Sequence, residues 1–168
     1  DFTPVEDSVR FGLNAIKGIG TASVQGIIEA RKSGKFTSLA DFATKIDQGA
    51  VNRRGAESLV TAGAFDSLKT SEISLNLWRA KVFAGIDGAL SFGQKIWQDK
   101  VRGQSGLFDV GGETQEVFQE NLPDVPAWGQ SEMTKKEKSS VGFYLSNHPL
   151  DMFVKVLEDL KIQNLADY

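Results

Sequence analysis

Apolar residues recur at intervals of three and four along most of this chain, and no stretch alternates strictly, so the pattern predicts an all-α fold with loops. From Val9, the positions Phe11, Leu13 and Ile16 predict a short helix that stops at Lys17-Gly18-Ile19-Gly20, where alternate glycines favour a tight turn. Thr21 or Ser23 then caps a second helix bearing Val24, Ile27 and Ile28, which Gly34 terminates after a basic last turn. The scheme repeats with Ser38 as cap, Leu39, Phe42, Ala43 and Ile46 as stripe, and Gln48-Gly49 as stop. Asn52 is the next cap, ahead of a helix with Ala56, Leu59, Val60 and Ala62 on its apolar face and Gly63 at its end. From Glu72 to Arg102 the periodicity is longest, giving one helix or two joined near Gly85 to Gly93. Ser131 to Leu145 reads as a helix with Glu132, Lys135, Lys136, Glu137 and Lys138 on its wet face. After a break at Asn147-His148-Pro149, Pro149 opens a last helix whose apolar face is Leu150, Phe153, Val154, Leu157 and Leu160.

Composition narrows the chemistry. Among 168 residues there is no Cys and one His, which excludes disulfide frameworks, Cys-ligated metal sites, thiol nucleophiles and multi-His metal centres. No apolar run is long enough to cross a membrane, and the acidic, polar start from Asp1 to Ser8 is unlike a signal peptide, so a soluble intracellular protein is expected. The net charge of −3 argues at first against a nucleic-acid partner. The charges are segregated, however: residues 1–55 carry eight bases against six acids (+2), and residues 56–168 carry eleven against sixteen (−5). Between Asp109 and Pro126 stand five acids, no base, paired glycines and two prolines, the composition of a solvated linker and a boundary.

The basic front holds the candidate chemistry. Around Lys17-Gly18-Ile19-Gly20-Thr21-Ala22, glycines let backbone approach a phosphate, and the free N–H groups of a turn and of a following helix start face outwards with the helix dipole behind them. Ile16 and Ile19 would be buried between the helices, with Lys17, Lys32 and Lys35 adding charge. The same spacing also serves an αα-hairpin whose glycines only turn the chain. In the second unit, Asn52-Arg53-Arg54 places two arginines in a helix's first turn, against the dipole, a placement that an incoming phosphate would reverse into an advantage. The alternative is pairing of Arg53 and Arg54 with Glu57 or Asp47 on a solvated face.

Further along, Gln104-Ser105-Gly106-Leu107-Phe108 has the layout of a linear recognition peptide, a Gln for backbone hydrogen bonds followed by two apolar anchors. Leu107 and Phe108 folding back on the long helix is the competing reading. Paired carboxylates able to hold two metal ions about 3.5–4 Å apart are not evident, so neither a catalytic nor a metal site is assigned. His148, beside Pro149, reads as a capping or packing residue, and Trp78, Trp97 and Trp128 as packing aromatics rather than base-stacking platforms.

The run Phe11 to Ile28, then Phe36-Thr-Ser-Leu39-Ala-Asp41-Phe42, Val51-Asn52-Arg53-Arg54 and Leu59-Val-Thr-Ala-Gly63-Ala-Phe65-Asp66-Ser67-Leu68, resembles the tandem helix-hairpin-helix region of the bacterial DNA polymerase III alpha-subunit family, the C-family replicative polymerases. Val141-Gly142-Phe143-Tyr144-Leu145-Ser146-Asn147-His148-Pro149-Leu150 is similar to that family's stretch just before its OB-fold domain, and Gln104 to Phe108 to the sliding-clamp motif Gln-x-x-Leu-Phe.

The resemblance implies a tandem hairpin unit at 1–68, a long helical segment at 69–103, the clamp peptide and acidic linker at 104–130, and helices at 131–168 leading to the OB fold. It implies a non-catalytic region without a cofactor, belonging to a cytoplasmic bacterial nucleotidyltransferase that uses Mg ions elsewhere. Its implied partners are duplex DNA at the primer–template, the sliding clamp (beta subunit) and the polymerase's remaining domains, with no membrane. Lys17, Gly18, Ile19, Gly20, Thr21, Ala22, Asn52, Arg53 and Arg54 would contact DNA phosphates, and Gln104, Leu107 and Phe108 the clamp. A helical interaction scaffold with the clamp peptide as its one functional element is the alternative, and an error-prone homologue of the same family is a further one.

Overall fold

The computed structural model describes residues 2–6, 8–47, 49–69, 72–101, 122–146 and 148–160. The chain opens with an antiparallel ribbon, β1 (Thr3–Val5) and β2 (Ser8–Arg10), with Thr3 opposite Arg10. The helix expected from Val9 is therefore not formed, and only a 3-10 turn at Leu13–Ala15 remains of it. Gly12 and Ile16 are both extended on either side of that turn, leaving too few residues to nucleate an α-helix. Phe11 leaves the helical stripe to meet Phe2 and Phe143 edge-on, with ring centroids 4.9 and 5.2 Å away.

Among the described residues all other elements are helical. Helix α1 spans Thr21–Arg31 and buries Val24, Ile27 and Ala30. It starts directly after an extended Gly20 without a side-chain cap, so neither Thr21 nor Ser23 plays the capping role expected of it. Helix α2 (Leu39–Lys45) is capped by Ser38, whose Oγ accepts from the Asp41 N–H at 2.9 Å. Helix α3 spans Arg53–Thr61, and its Ala56, Leu59 and Val60 are each 1% exposed.

Helix α4 (Leu75–Val101) is a single rod of 27 residues. It runs unbroken through its glycines, two of which admit close neighbours: a Cβ on Gly93 would strike the Ala43 carbonyl of α2, and one on Gly85 would lie 3.0 Å from Leu122. Trp78 is buried and donates its indole N–H to the Phe65 carbonyl at 3.1 Å. Trp97, near the far end, is 39% exposed and departs from the packing role expected of it.

Helix α5 spans Gln130–Val141 and stops at left-handed Gly142, short of the Leu145 limit expected. The residues leading into it lie along α4: Leu122 packs against the core, Asp124 pairs with Lys81 at 3.0 Å, and Trp128 meets Phe83 edge-on. The Leu122-to-Pro126 end of the acidic tract is thus docked rather than wholly solvated, while residues 109–121 lie outside the described ones. Helix α6 (Val154–Asp159), the last among the described residues, follows a 3-10 turn at Asp151–Phe153 instead of opening on Pro149. Leu150, Phe153, Val154 and Leu160 of its expected apolar face are exposed.

Candidate nucleic-acid interface

The first hairpin is a glycine turn fastened from behind. Ile16 and Ile19 are 5% and 8% exposed, and the Ile19 N–H donates to the Ile16 carbonyl at 3.2 Å. Gly18 sits at φ +85°, which favours glycine, and Ser58 of α3 would be 3.3 Å from a Cβ there. Lys17, Gly18, Gly20, Thr21 and Ala22 all face solvent. A Cβ on Gly20 would meet nothing within 4 Å, so the approach to the start of α1 is open. That start has neither a capping side chain nor an acid in its first turn. Among the expected phosphate contacts, Ile19 is therefore set apart: its side chain braces the turn and its amide is occupied by Ile16.

The second hairpin is built alike and charged differently. Ile46 and Val51 are buried on either side of exposed Gly49 at φ +84°. Asn52 caps α3, its Oδ1 accepting from the Gly55 N–H at 2.8 Å. Arg53 is tied down: its Nε donates to Glu57 at 2.9 Å and its Nη1 reaches Asp87 of α4 at 3.0 Å. Hydrogen bonding to Glu57 and the charge of Asp87 raise its pKa further above the ordinary guanidinium value. Arg53 is thus internally paired, with Glu57 as expected and with Asp87 in place of Asp47. Arg54 points elsewhere, is exposed, and has no ion-pair partner among the described residues.

A buried polar truss ties α5 to this unit. Arg79 of α4, with a side chain 4% exposed, grips Asp66 through Nε at 3.0 Å and Nη2 at 2.6 Å, and reaches Glu137 of α5 at 3.3 Å. Glu137 accepts from the Leu145 and Ser146 N–H groups at 3.0 and 2.9 Å and from the Ser146 hydroxyl at 2.6 Å. Burial disfavours its charge, and the Ser146 and Leu145 donors with Arg79 outweigh that and hold the carboxyl below its ordinary range. Glu137 is 1% exposed, which corrects its placement on a wet face. The signal was present in the sequence: Glu137 lies four residues from both Met133 and Val141, and Arg79 lies among Leu75, Trp78 and Val82. A charge on each of two apolar stripes calls for a partner.

His148 does not cap a helix: the 3-10 turn at Asp151–Phe153 has no side-chain cap, and exposed His148 instead shapes the turn before it, its Nδ1 accepting from the Leu150 N–H at 3.2 Å and its backbone N–H donating to the Asp151 carboxylate. Gln104, Leu107 and Phe108 lie outside the described residues. Among the described residues no group of three acids or histidines is placed to hold a metal ion, and no helix is long and apolar enough to cross a membrane.

Two braced glycine turns, each leading into a helix start, define a helix-hairpin-helix protein, and residues 1–75 match the family model described as the helix-hairpin-helix motif. Over nearly its whole length the chain is similar to the DNA polymerase III subunit alpha of Neisseria meningitidis serogroup A, at 38% identity over 167 residues, covering 98% of the chain and 14% of that relative. It is similar to the corresponding subunit of Caulobacter vibrioides at 32% over 168 residues, 99% of the chain and 14% of the relative. For Vibrio cholerae the figures are 34% over 151 residues, 89% of the chain and 12% of the relative. The chain belongs to the DNA polymerase III alpha-subunit family and spans only 12–14% of the length of these relatives.

Proposed function

We propose that this chain is a non-catalytic part of a replicative polymerase alpha subunit that grips primer–template duplex by its phosphates, without sequence preference, and docks on the sliding clamp. The observation that carries the DNA reading is the open glycine turn at Gly18–Gly20, braced by Ile16 and Ile19 and leading into an uncapped helix start. Lys17, Gly18, Gly20, Thr21 and Ala22 form the first phosphate contact. Arg54, at the Asn52-capped start of α3, forms the second, and Arg53 contributes only when drawn away from Glu57 and Asp87. Gln104, Leu107 and Phe108 supply the clamp anchor. This region uses no cofactor, and nucleotidyl transfer with its Mg ions belongs to other parts of a cytoplasmic enzyme. Holding duplex and clamp together raises the local concentration of polymerase at the primer end, which is how such a region serves processive replication.

The test is salt-dependent binding of the whole chain to random-sequence duplex. Lys17→Ala and Arg54→Ala should each weaken binding for every sequence and lower the slope of log affinity against log salt by about one. Arg53→Ala should do less. Absence of duplex binding, with clamp binding that is lost in a Leu107→Ala/Phe108→Ala variant, would establish the interaction-scaffold reading instead, for which the internally paired Arg53 is the favouring observation.

A further inference from the structure

We propose that the DNA face extends beyond the helix-hairpin-helix motif onto α5, through a polar groove between α3 and α5 that takes the phosphate next to the one held by the glycine turn. The proposal rests on the duplex-binding reading above and adds residues that neither the motif nor the sequence pattern assigns.

The groove is built from two facing helical stripes. Arg54, Glu57, Ser58 and Thr61 line it from α3, and Lys136, Ser139 and Ser140 from α5. Residues spaced by three and four lie on one side of a helix, so each set presents a single edge. Two observations connect the groove to the turn. Ser58 stands directly behind Gly18, and the Lys17 N–H donates to the Ser140 carbonyl at 2.7 Å. The groove therefore begins where the exposed Gly18 ends, and Arg54 lies one helical turn, about 6 Å, further along from Ser58.

Its chemistry suits a phosphate diester. Arg54 supplies a charge with no ion-pair partner among the described residues, and the Ser58 and Ser139 hydroxyls have no hydrogen-bond partner among them. Lys136 is held at the groove by Glu132 at 3.6 Å and by the Phe83 and Trp128 rings, each 4.8 Å from its ammonium. The Thr61 and Ser140 hydroxyls are occupied by their own helices' carbonyls and only shape the wall. Among the described residues Glu57 is the one acid lining the groove, and its carboxylate is engaged by Arg53 at 2.9 Å. The Arg79–Glu137 truss keeps α5 at this distance from α3, so a buried pair unrelated to DNA sets the width of the groove.

The experiment uses Ser139, an exposed residue of α5 whose hydroxyl bonds nothing described, so exchange there leaves the fold alone. In the whole chain, Ser139→Glu and Ser139→Arg are compared with Ser131→Glu and Ser131→Arg, which make the same charge changes on an exposed face of α5 outside the groove. Binding to random duplex is measured from low to moderate salt, with Lys17→Ala as the reference for the turn. The expected result is that Ser139→Glu weakens binding about fivefold at low salt, Ser139→Arg tightens it comparably with a slope steeper by about one, and the Ser131 pair does neither. If the Ser139 and Ser131 pairs behave alike while Lys17→Ala still weakens binding, the groove is overturned and the hairpin reading stands. Absence of duplex binding by the unaltered chain overturns both.

Discussion

At Arg79 and Glu137 two full charges sit where the fold has almost no water, one with a side chain 4% exposed and the other 2%. Such a pair adds little net stability compared with an apolar one, but removing one member leaves the other buried and unmatched, at a cost of about 3–5 kcal/mol. Glu137→Ala is expected to lower the unfolding free energy by that order in urea melts at neutral pH, and Glu137→Gln by less, because its amide still meets the Ser146 hydroxyl. The pair also gives an acid dependence with a definite sign. The folded state holds the Glu137 carboxyl below its ordinary range, so this contribution is fully present above about pH 4.3 and is lost as pH falls through the lower folded value. Melts repeated from pH 6 down to pH 3 should therefore show a shallower fall for Glu137→Gln than for the unaltered chain. An equal fall in both would mean that Glu137 is not the group titrating.

Among the elements, the cap at Asn52 shows how a candidate phosphate contact serves its own helix. Asn52 is a candidate phosphate contact, and its Oδ1 accepts from the Gly55 N–H at 2.8 Å. Asn52→Ala should cost about 1 kcal/mol of stability, as should Ser38→Ala at the start of α2. Asn52→Asp separates the roles: an aspartate caps as well as asparagine, and its charge repels a phosphate arriving at the same helix end. Unchanged thermal stability with weaker duplex binding is the expected pair of results, and unchanged binding would remove Asn52 from the DNA face. Where helices carry their start signal in one residue, as at Ser38 and Asn52, the sequence was readable. Val9 to Ile16 was not, because the pairing of β2 with β1 and the contacts of Phe11 with Phe2 and Phe143 are tertiary facts that local periodicity does not contain. The unity of α4 was equally hidden, since a glycine that breaks a helix and one that admits a neighbour look the same in sequence. At Gly93 the neighbour is the Ala43 carbonyl, and Gly93→Ala should destabilise the α2–α4 contact by about 1–3 kcal/mol in the same melts.

For the whole molecule, the net charge of −3 conceals a segregation of charge along the chain. The glycine turns, Lys17 and Arg54 occupy a front with a positive surplus, and the acids that reverse the total follow the candidate clamp peptide in sequence. The glycine turns and the capped starts of α2 and α3 were legible because glycine, serine and asparagine sit at fixed places in them, whereas α1 starts without a side-chain cap. The joining of α5 to the front was not, because it depends on Arg79 finding Glu137 across 58 residues of chain. If Gln104, Leu107 and Phe108 hold the clamp while Gly18–Ala22 and Arg54 hold duplex, the two attachments are joined through the same chain and each makes the other effectively intramolecular. On duplex already encircled by clamp, the whole chain should then dissociate slower than from bare duplex by about 100-fold or more. Leu107→Ala with Phe108→Ala should return that rate to the bare-duplex value without changing it on bare duplex, and Lys17→Ala with Arg54→Ala should accelerate loss from both. A clamp-dependent gain that survives the Leu107→Ala/Phe108→Ala exchange would place the clamp contact on another surface, with the exposed Leu150, Phe153 and Leu160 as the next residues to alter.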